Sequence, residues 1–184
     1  AEILSIPLEY PFMKNEEKLT MIERFKQHAG VKENLQSDVG YMQGMSGNGL
    51  TTEKGNENSW IDISVMAVPA NFFSFMNIPI EQGRLPQTEK DIVVDNVWQE
   101  MQKKDVIGMN LYSGNTDYTI CGISTPFQAD VYNRSSGYAF LPYNSSVYIG
   151  QCYIKSHPGQ QKELAQRIEK VCHEMLPENI TYQA

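Results

Sequence analysis

Val68-Pro-Ala-Asn-Phe-Phe-Ser-Phe-Met-Asn-Ile-Pro-Ile-Glu-Gln-Gly-Arg84 changes its backbone period twice within a short span. Pro69 suits the first turn of a helix, where its missing N–H has no intrahelical partner to lose and its ring holds φ near the helical value. Phe72, Phe73 and Met76 then fall on one side of a short helix. Asn77 ends that helix, and Ile78-Pro-Ile-Glu is extended. Upstream, Trp60-Ile-Asp-Ile-Ser-Val-Met-Ala-Val68 alternates with a period of two. Trp60, Asp62, Ser64, Met66 and Val68 face one way, and Ile61, Ile63, Val65 and Ala67 form a wholly apolar second face. The centre of the chain therefore reads as a strand feeding a short helix.

Working outward, Ile92-Val-Val predicts a strand, residues 97–103 a helix with Val97, Trp98 and Met101 inward, and residues 106–111 an extended piece. Residues 118–124 and 137–143 predict two more strands. The two ends follow a different rule, each reading strand, helix, strand. At the front, Glu2 to Tyr10 is a strand limited by Pro7 and Pro11. A helix from Asn15 carries Leu19, Ile22, Phe25 and Ala29 on one face, with Glu16 and Glu17 in the turn the dipole favours and Gly30 as its stop. A second strand through Val39 and Tyr41 then runs into a glycine-rich loop. At the back, residues 149–155 are a strand, and Ser156 or His157 caps a helix whose inward face is Leu164, Ala165, Ile168, Val171, Cys172 and Met175. Pro177 closes that helix, and Ile180-Thr-Tyr begins another strand.

Two strand-helix-strand units pair into a split βαβ sheet covered by helices on one face. The fold class expected is α+β with two lobes: a porter-like terminal lobe from residues 1–54 and 147–184, and an inserted strand-rich lobe with short helices from residues 55–146. The polar crossings at residues 54–60 and 143–148 are the expected hinges.

Composition narrows the function. Fifteen Lys and Arg against 22 Asp and Glu give a formal charge of -7, and the basic residues never concentrate, so nucleic acid is not an expected partner. The longest apolar run, residues 61–76, is interrupted by Asp62, Ser64, Asn71 and Ser74, well short of the roughly 20 apolar residues of a membrane span. Cys121, Cys152 and Cys172 have no metal-ligand spacing and read as free, partly buried thiols, with a Cys121–Cys152 bridge left open. His28, His157 and His173 are isolated, and Gly44, Gly47 and Gly49 lack the lysine and hydroxyl sequel of a nucleotide loop. Ser136 has no nucleophile-elbow context, and Asn133, Asn144 and Asn179 meet the glycan acceptor pattern only by coincidence. The reading is of a chain without catalytic residues, metal ligands or cofactor.

The residue order resembles the signature of MacB-like periplasmic core domains. A strand runs into Pro69, Asn71, Phe72 and Phe73, then a loop ends in Gly83-Arg84 with an acidic position at Asp91. After these come the Ile107-Gly108 step, the strand through Gly122, Phe127, and Tyr138-Ala-Phe-Leu-Pro142. Departures are Val106-Ile-Gly-Met109 where Pro-Ile-Gly-Lys is common, and Asp95-Asn96 where Asn-Glu is common. From the residues themselves, Gly83-Arg84 reads as a turn whose arginine pairs with a carboxylate such as Asp91 or Asp95, Gly108 and Gly122 as positions that release backbone strain at a turn and at a bulge or strand end, and Phe72 and Phe73 as core.

The resemblance implies an extracytoplasmic domain of an FtsX-like ABC transporter permease in the inner membrane, not itself an enzyme, coupling cytoplasmic ATP hydrolysis to efflux or lipoprotein export. It implies a cytoplasmic ATPase reached through membrane helices, a second permease copy or homologue, and an envelope protein, lipoprotein or peptide as substrate. The alternative is a module that senses a ligand or regulates an envelope protein without moving cargo. Partner contacts are expected at the long irregular segments, through Met42, Met45, Phe127 and Tyr132. Sequencing of the whole gene is expected to show apolar segments of about 20 residues shortly after Tyr182 and before Ala1; a soluble domain there would remove the permease reading.

Overall fold

The computed structural model describes residues 3–37, 49–127, 136–143 and 148–177. In chain order the elements are β1 (Ile3–Pro7), α1 (Asn15–Lys26), β2 (Val31–Ser37), β3 (Ser64–Val68), α2 (Phe72–Phe75), β4 (Ile80–Gly83) and β5 (Asp91–Asp95). They continue with α3 (Asn96–Gln102), β6 (Asn110–Ser113), β7 (Thr116–Ser124), β8 (Tyr138–Pro142), β9 (Gln151–Ser156) and α4 (Gln161–Met175). Two compact units form, Ala1–Gly40 with Asn144–Ala184 and Tyr41–Tyr143. The class is α+β.

In the first unit β9 lies between β1 and β2 and is antiparallel to both, with Ser5 and Leu35 opposite Tyr153 on either side. β1 and β2 are therefore parallel but not adjacent, the split βαβ arrangement with α1 as the crossover. All of β9 is buried, as a central strand requires. Cys152 and Ile154 on its helix-facing side join Ile6, Ile22, Phe25, Leu164, Ile168 and Val171 in one core. The strand Ile180-Thr-Tyr lies outside the described residues.

The buried face of α1 is Lys18, Met21, Ile22 and Phe25, at offsets 0, 3, 4 and 7, while Leu19 and Ala29 are exposed. The sequence phase was displaced because Lys18 belongs to the apolar stripe. Its ammonium donates to Ile149 O at 2.6 Å and lies 4.2 Å from the centre of the Tyr148 ring. A carbonyl and an aromatic face thus replace water, and burial lowers the lysine pKa. On α4, Leu164, Ile168, Val171 and Cys172 are buried and Met175 partly so, whereas Ala165 is exposed. Gln160, not Ser156 or His157, holds the N-cap position, because the left-handed Gly159 delays the helix start. The second strand at the front is Val31–Ser37, earlier than expected; Val39 and Tyr41 lie outside the described residues.

In the second unit the strand order is β3-β8-β5-β7-β4, with β6 paired to β7. β3 and β8 are parallel, as are β5 and β7, and the other pairings are antiparallel. Central β5 is buried at every position. Ile92 and Val94 pack on one face with Trp98, Val106, Leu111 and Ile120. On the other face Phe140 is opposite both Met66 and Val93 and meets Phe72 and Phe73 of α2. Both faces are covered, which is why Met66 and Val68 are as buried as the apolar face read from the sequence. Trp60, by contrast, is 58% exposed, since the strand begins only at Ser64. Met101 is exposed too, although it lies within α3, whose buried residue is Trp98.

Leu50 and Thr51, which the sequence reading assigns to the terminal lobe, belong to this second unit. Ile61 N donates to Leu50 O at 3.0 Å, and Thr51 exchanges hydrogen bonds with Tyr112 at 2.8 and 2.9 Å. The stretch 54–60, expected as a hinge, is a closed turn within it: Thr52 N donates to Ser59 O, and Glu53 N to Ser59 Oγ, both at 3.0 Å.

Ile168 is 1% exposed on the inward face of α4. Ile168→Asp is expected to destabilise the first unit by at least about 3 kcal/mol, because a carboxylate cannot be desolvated there without a partner. Thermal or urea unfolding checks this, and an unchanged melting curve would show that the face is not core.

Candidate functional site

The residues singled out in the sequence gather mainly around two backbone constraints on the second unit. The first is the exit from β3. Phe72 N donates to Pro69 O at 3.0 Å and Phe75 N to Asn71 O at 2.9 Å, so Pro69 and Asn71 open α2 through their carbonyls. Asn71 provides no side-chain cap. Asn77 takes a left-handed φ of 54°, and Ile78 N returns to Phe73 O at 2.8 Å. The turn aims Phe72 and Phe73 into an aromatic cluster with Phe140, at centroid distances of 5.5 and 5.3 Å. The Phe73–Phe140 contact is edge-on, at 81° between the rings, which adds directional preference to burial. Phe127 joins the same cluster, 5.5 Å from Phe72 and 5.6 Å from Tyr138, so part of its ring is committed to the interior. Met42, Met45 and Tyr132 lie outside the described residues. Beside the cluster opens a cleft of about 280 Å³, with Val68, Pro69, Phe73 and Leu141 among its apolar walls and Gln87 and Glu89 among its polar ones.

The second constraint is the contact of β4 with β7. Asp91 is opposite Thr119 and Ile92 opposite Ile120, but Val93 is opposite Gly122, so Cys121 is an extra residue in β7 and forms a bulge. The bulge turns Cys121 O outward to accept from Arg84 N at 2.9 Å. The two backbones approach so closely that a side chain has no room. A Cβ on Gly83 would stand 2.2 Å from Cys121 O, and one on Gly122 2.4 Å from Arg84 O. Gly83 also has a φ of +76°. Ile107 is partly exposed with its Cδ1 beside Gly83, and Gly108 is held at φ +85° by donating to Ile120 O at 2.8 Å.

Arg84 leaves this junction and pairs with Asp91, not Asp95, through Nη1–Oδ2 at 2.7 Å and Nη2–Oδ1 at 3.2 Å. Asp91 Oδ2 also accepts from Gln87 N at 2.9 Å and Thr88 N at 3.0 Å. The guanidinium first, then the two amides, stabilise the carboxylate against the cost of burial and hold its pKa down to about 2. The six-residue connection between Arg84 and Asp91 is thereby fixed. Asp95 serves elsewhere. It caps α3 by accepting from Trp98 N at 3.1 Å, and its other oxygen accepts from Tyr138 N at 2.9 Å. Burial raises its pKa in spite of these bonds. Nothing in the sequence pattern marked Asp95 as the connector, although an Asp just before a predicted helix is a capping signal.

Chemistry-bearing residues do not converge among the described residues. No group of three or more His, Cys, Asp or Glu side chains could hold a metal there. His28 Nδ1 accepts from Gly30 N at 2.9 Å, a local turn contact, and His157 and His173 are exposed. All three cysteines are buried and free. Burial pushes the Cys152 thiol up to about 12 and the Cys172 thiol up to about 11, well away from thiolate character at neutral pH. No helix is long and apolar enough to cross a membrane among the described residues.

The sequence profile of the MacB-like periplasmic core domain matches residues 14–171. Among solved structures, the extracellular domain of the noncanonic ABC-type transporter YknZ from Gram-positive bacteria aligns with a TM-score of 0.64 at 14% identity, covering 100% of this chain and 98% of that one. The periplasmic region of MacB from Actinobacillus actinomycetemcomitans aligns with a TM-score of 0.63 at 11% identity, covering 94% and 83%. A domain of a putative permease protein from Porphyromonas gingivalis gives 0.61 at 13% identity, covering 85% and 70%. At these identities the likenesses show the fold. No curated protein matches the chain by sequence.

Asp91→Asn is expected to destabilise the second unit by about 1–3 kcal/mol at neutral pH, by weakening charge-assisted bonds to Arg84 and the turn amides. Because the folded pKa lies below the unfolded value, Asp91 contributes its stability above about pH 4 and loses it as the pH falls toward 2. Asp95 has the opposite sign, its penalty being relieved by protonation, so the difference between wild type and Asp91→Asn isolates the pair. Unfolding curves recorded between about pH 2 and 7 should converge at the acid end; a gap that persists at low pH would contradict the assignment.

Proposed function

Because the chain belongs to the family of MacB-like periplasmic core domains, we propose that it couples ATP hydrolysis by a cytoplasmic partner to the handling of a substrate or partner outside the membrane. Membership makes this an extracytoplasmic domain of an ABC-transporter-type permease, and a non-catalytic one. The coupling reading rests on one structural observation, that the functional-motif residues are spent on making the second unit rigid. Gly83, Gly122 and the Arg84–Asp91 pair lock two strands and a turn, and Pro69 to Phe73 lock the exit of β3. A domain of this kind acts through contacts that differ between the conformations its ATPase imposes. Its partners are a cytoplasmic ATPase, reached through membrane helices of the whole permease, and a second permease copy or homologue. The handled species is an envelope protein, lipoprotein or peptide.

Reconstituting the whole permease with its ATPase tests this. Removing the 184 residues should leave basal ATP hydrolysis within about twofold and abolish export or its stimulation of hydrolysis, the loss of a coupling free energy of about 1–3 kcal/mol. The isolated chain should show no ATP affinity in calorimetry. Export unchanged by the deletion would overturn coupling and favour a sensing module, and ATP binding by the isolated chain would overturn the division of labour.

A further inference from the structure

The chain has two tryptophans with opposite fates: Trp98 is 2% exposed, whereas Trp60 is 58% exposed on the surface of the second unit. An indole left in water is the larger apolar surface to leave uncovered. Trp60 is also held still. It bridges Thr51, its neighbour Ile61 donates to Leu50 O at 3.0 Å, and the adjoining turn is closed by Ser59. Gly49 braces one edge of the ring, since a Cβ there would stand 2.2 Å from Trp60 Nε1. The indole is a preorganised platform.

A depression of about 490 Å³ opens beside it, within the size range of small-molecule sites. Thr51, Asn56, Glu57 and Asn115 line it, and the remainder is backbone of Gly49, Gly55 and Gly114. Gly55 and Gly114 sit at φ +72° and +58° at the tips of two turns, with nothing within 4 Å of where a Cβ would lie, so bare peptide groups face the space. The two turns are fastened together by the Thr51–Tyr112 bonds and by Lys54–Asp117 at 3.0 Å. Among the described residues, the indole N–H and the side chains of Glu57 and Asn115 make no hydrogen bond with the protein. Asn56 is oriented by Glu53 Oε2 at 2.7 Å and by Asn58 N at 3.0 Å.

The lining decides what fits. An acyl chain or an apolar peptide needs apolar walls, and among the described residues Trp60 is the only large apolar side chain there. A phosphate or another anion needs an unpaired cation, and Lys54 is already paired while Glu57 repels. One exposed aromatic face with amides, a hydroxyl, a carboxylate and backbone groups at its edge is the arrangement that takes a neutral pyranose. The sugar's C–H face lies on the electron-rich indole, and its hydroxyls exchange hydrogen bonds with Asn56, Glu57 and Asn115. We propose that this depression is a binding site for a neutral saccharide, presented either as a free oligosaccharide or as the glycan strand of a cell-wall polymer. The site does not depend on the coupling role.

The test uses the 184-residue chain, with maltotriose, cellotriose and triacetylchitotriose as probes of the free sugar and insoluble peptidoglycan as the probe of the polymer. At least one trisaccharide should shift the exposed-tryptophan emission and protect it from acrylamide with a dissociation constant of about 0.1–1 mM, or the chain should sediment with peptidoglycan. Trp60→Ala should weaken that binding at least about tenfold, and Asn115→Ala by a smaller factor, with melting temperatures unchanged because both residues are exposed. Trp60→Tyr, which keeps an aromatic face, should recover part of the affinity and guards against a misfolded alanine variant. Binding in either arm that depends on Trp60 supports the site and identifies the source. Failure in both arms, binding indifferent to Trp60→Ala, or a Trp60 response to phosphatidylethanolamine–phosphatidylglycerol vesicles and to none of the sugars would overturn it.

Discussion

A single buried carboxylate organises the larger unit. Asp95 ends the central strand β5 and uses one oxygen on the amide that opens α3 and the other on the amide that opens β8. Both amides would otherwise be unsatisfied donors in the interior, each costing about as much as a lost hydrogen bond. The arrangement brings β8 so close that residue 137 must be glycine: a Cβ there would stand 2.5 Å from Asp95 Oδ1 and 2.7 Å from Trp98 N, at a φ of +77°. Strand, helix and the neighbouring strand are thereby placed as one block, with Trp98 sealed beneath it.

The outer strands are attached to that block by different chemistry with the same result. At the β4–β7 junction two glycines let backbones touch, and Arg84 and Asp91 clamp the turn that follows. The residues by which the family is recognised are thus occupied with geometry, and no reactive side chain is poised among them. Rigidity of this kind suits a body that must pass on a conformational bias imposed elsewhere, because a bias applied to a soft body dissipates locally. The exposed Trp60 platform is separate from this scaffold in chemistry: it is open and lined by amides, a hydroxyl and the Glu57 carboxylate, where the scaffold is buried and ion-paired.

Much of the architecture was legible where burial and period agree. The α4 stripe from Leu164 to Cys172, the β3–α2 step at Pro69 and the central strand at Ile92 were all read from spacing. β2 was not, because Val31 to Ser37, at the edge of its sheet among the described residues, carries Lys32, Glu33, Asn34 and Gln36 and leaves no alternation to detect. The phase of α1 failed for a similar reason. Lys18 counts as polar in any periodicity, yet a carbonyl and a ring supplied in three dimensions by Ile149 and Tyr148 make it a core residue. At the motif, sequence order located Arg84 but could not choose between Asp91 and Asp95; the choice depends on the β7 bulge, which is a property of pairing and not of any one strand. Trp60 was placed on a strand face because alternation extends to it, whereas pairing with β8 begins only at Ser64.

The central proposal is that the second unit is a rigid body whose contacts change with the nucleotide state of a partner across the membrane. Amide hydrogen exchange of the membrane-embedded whole permease with its ATPase measures this directly, compared between ATP-trapped and ADP-bound states. The amides of Trp98 and Tyr138 that bind Asp95 should be equally protected in both states, while amides elsewhere on the surface of the domain change protection between them. Exchange that is indistinguishable between the two states at every amide of the domain would contradict the account.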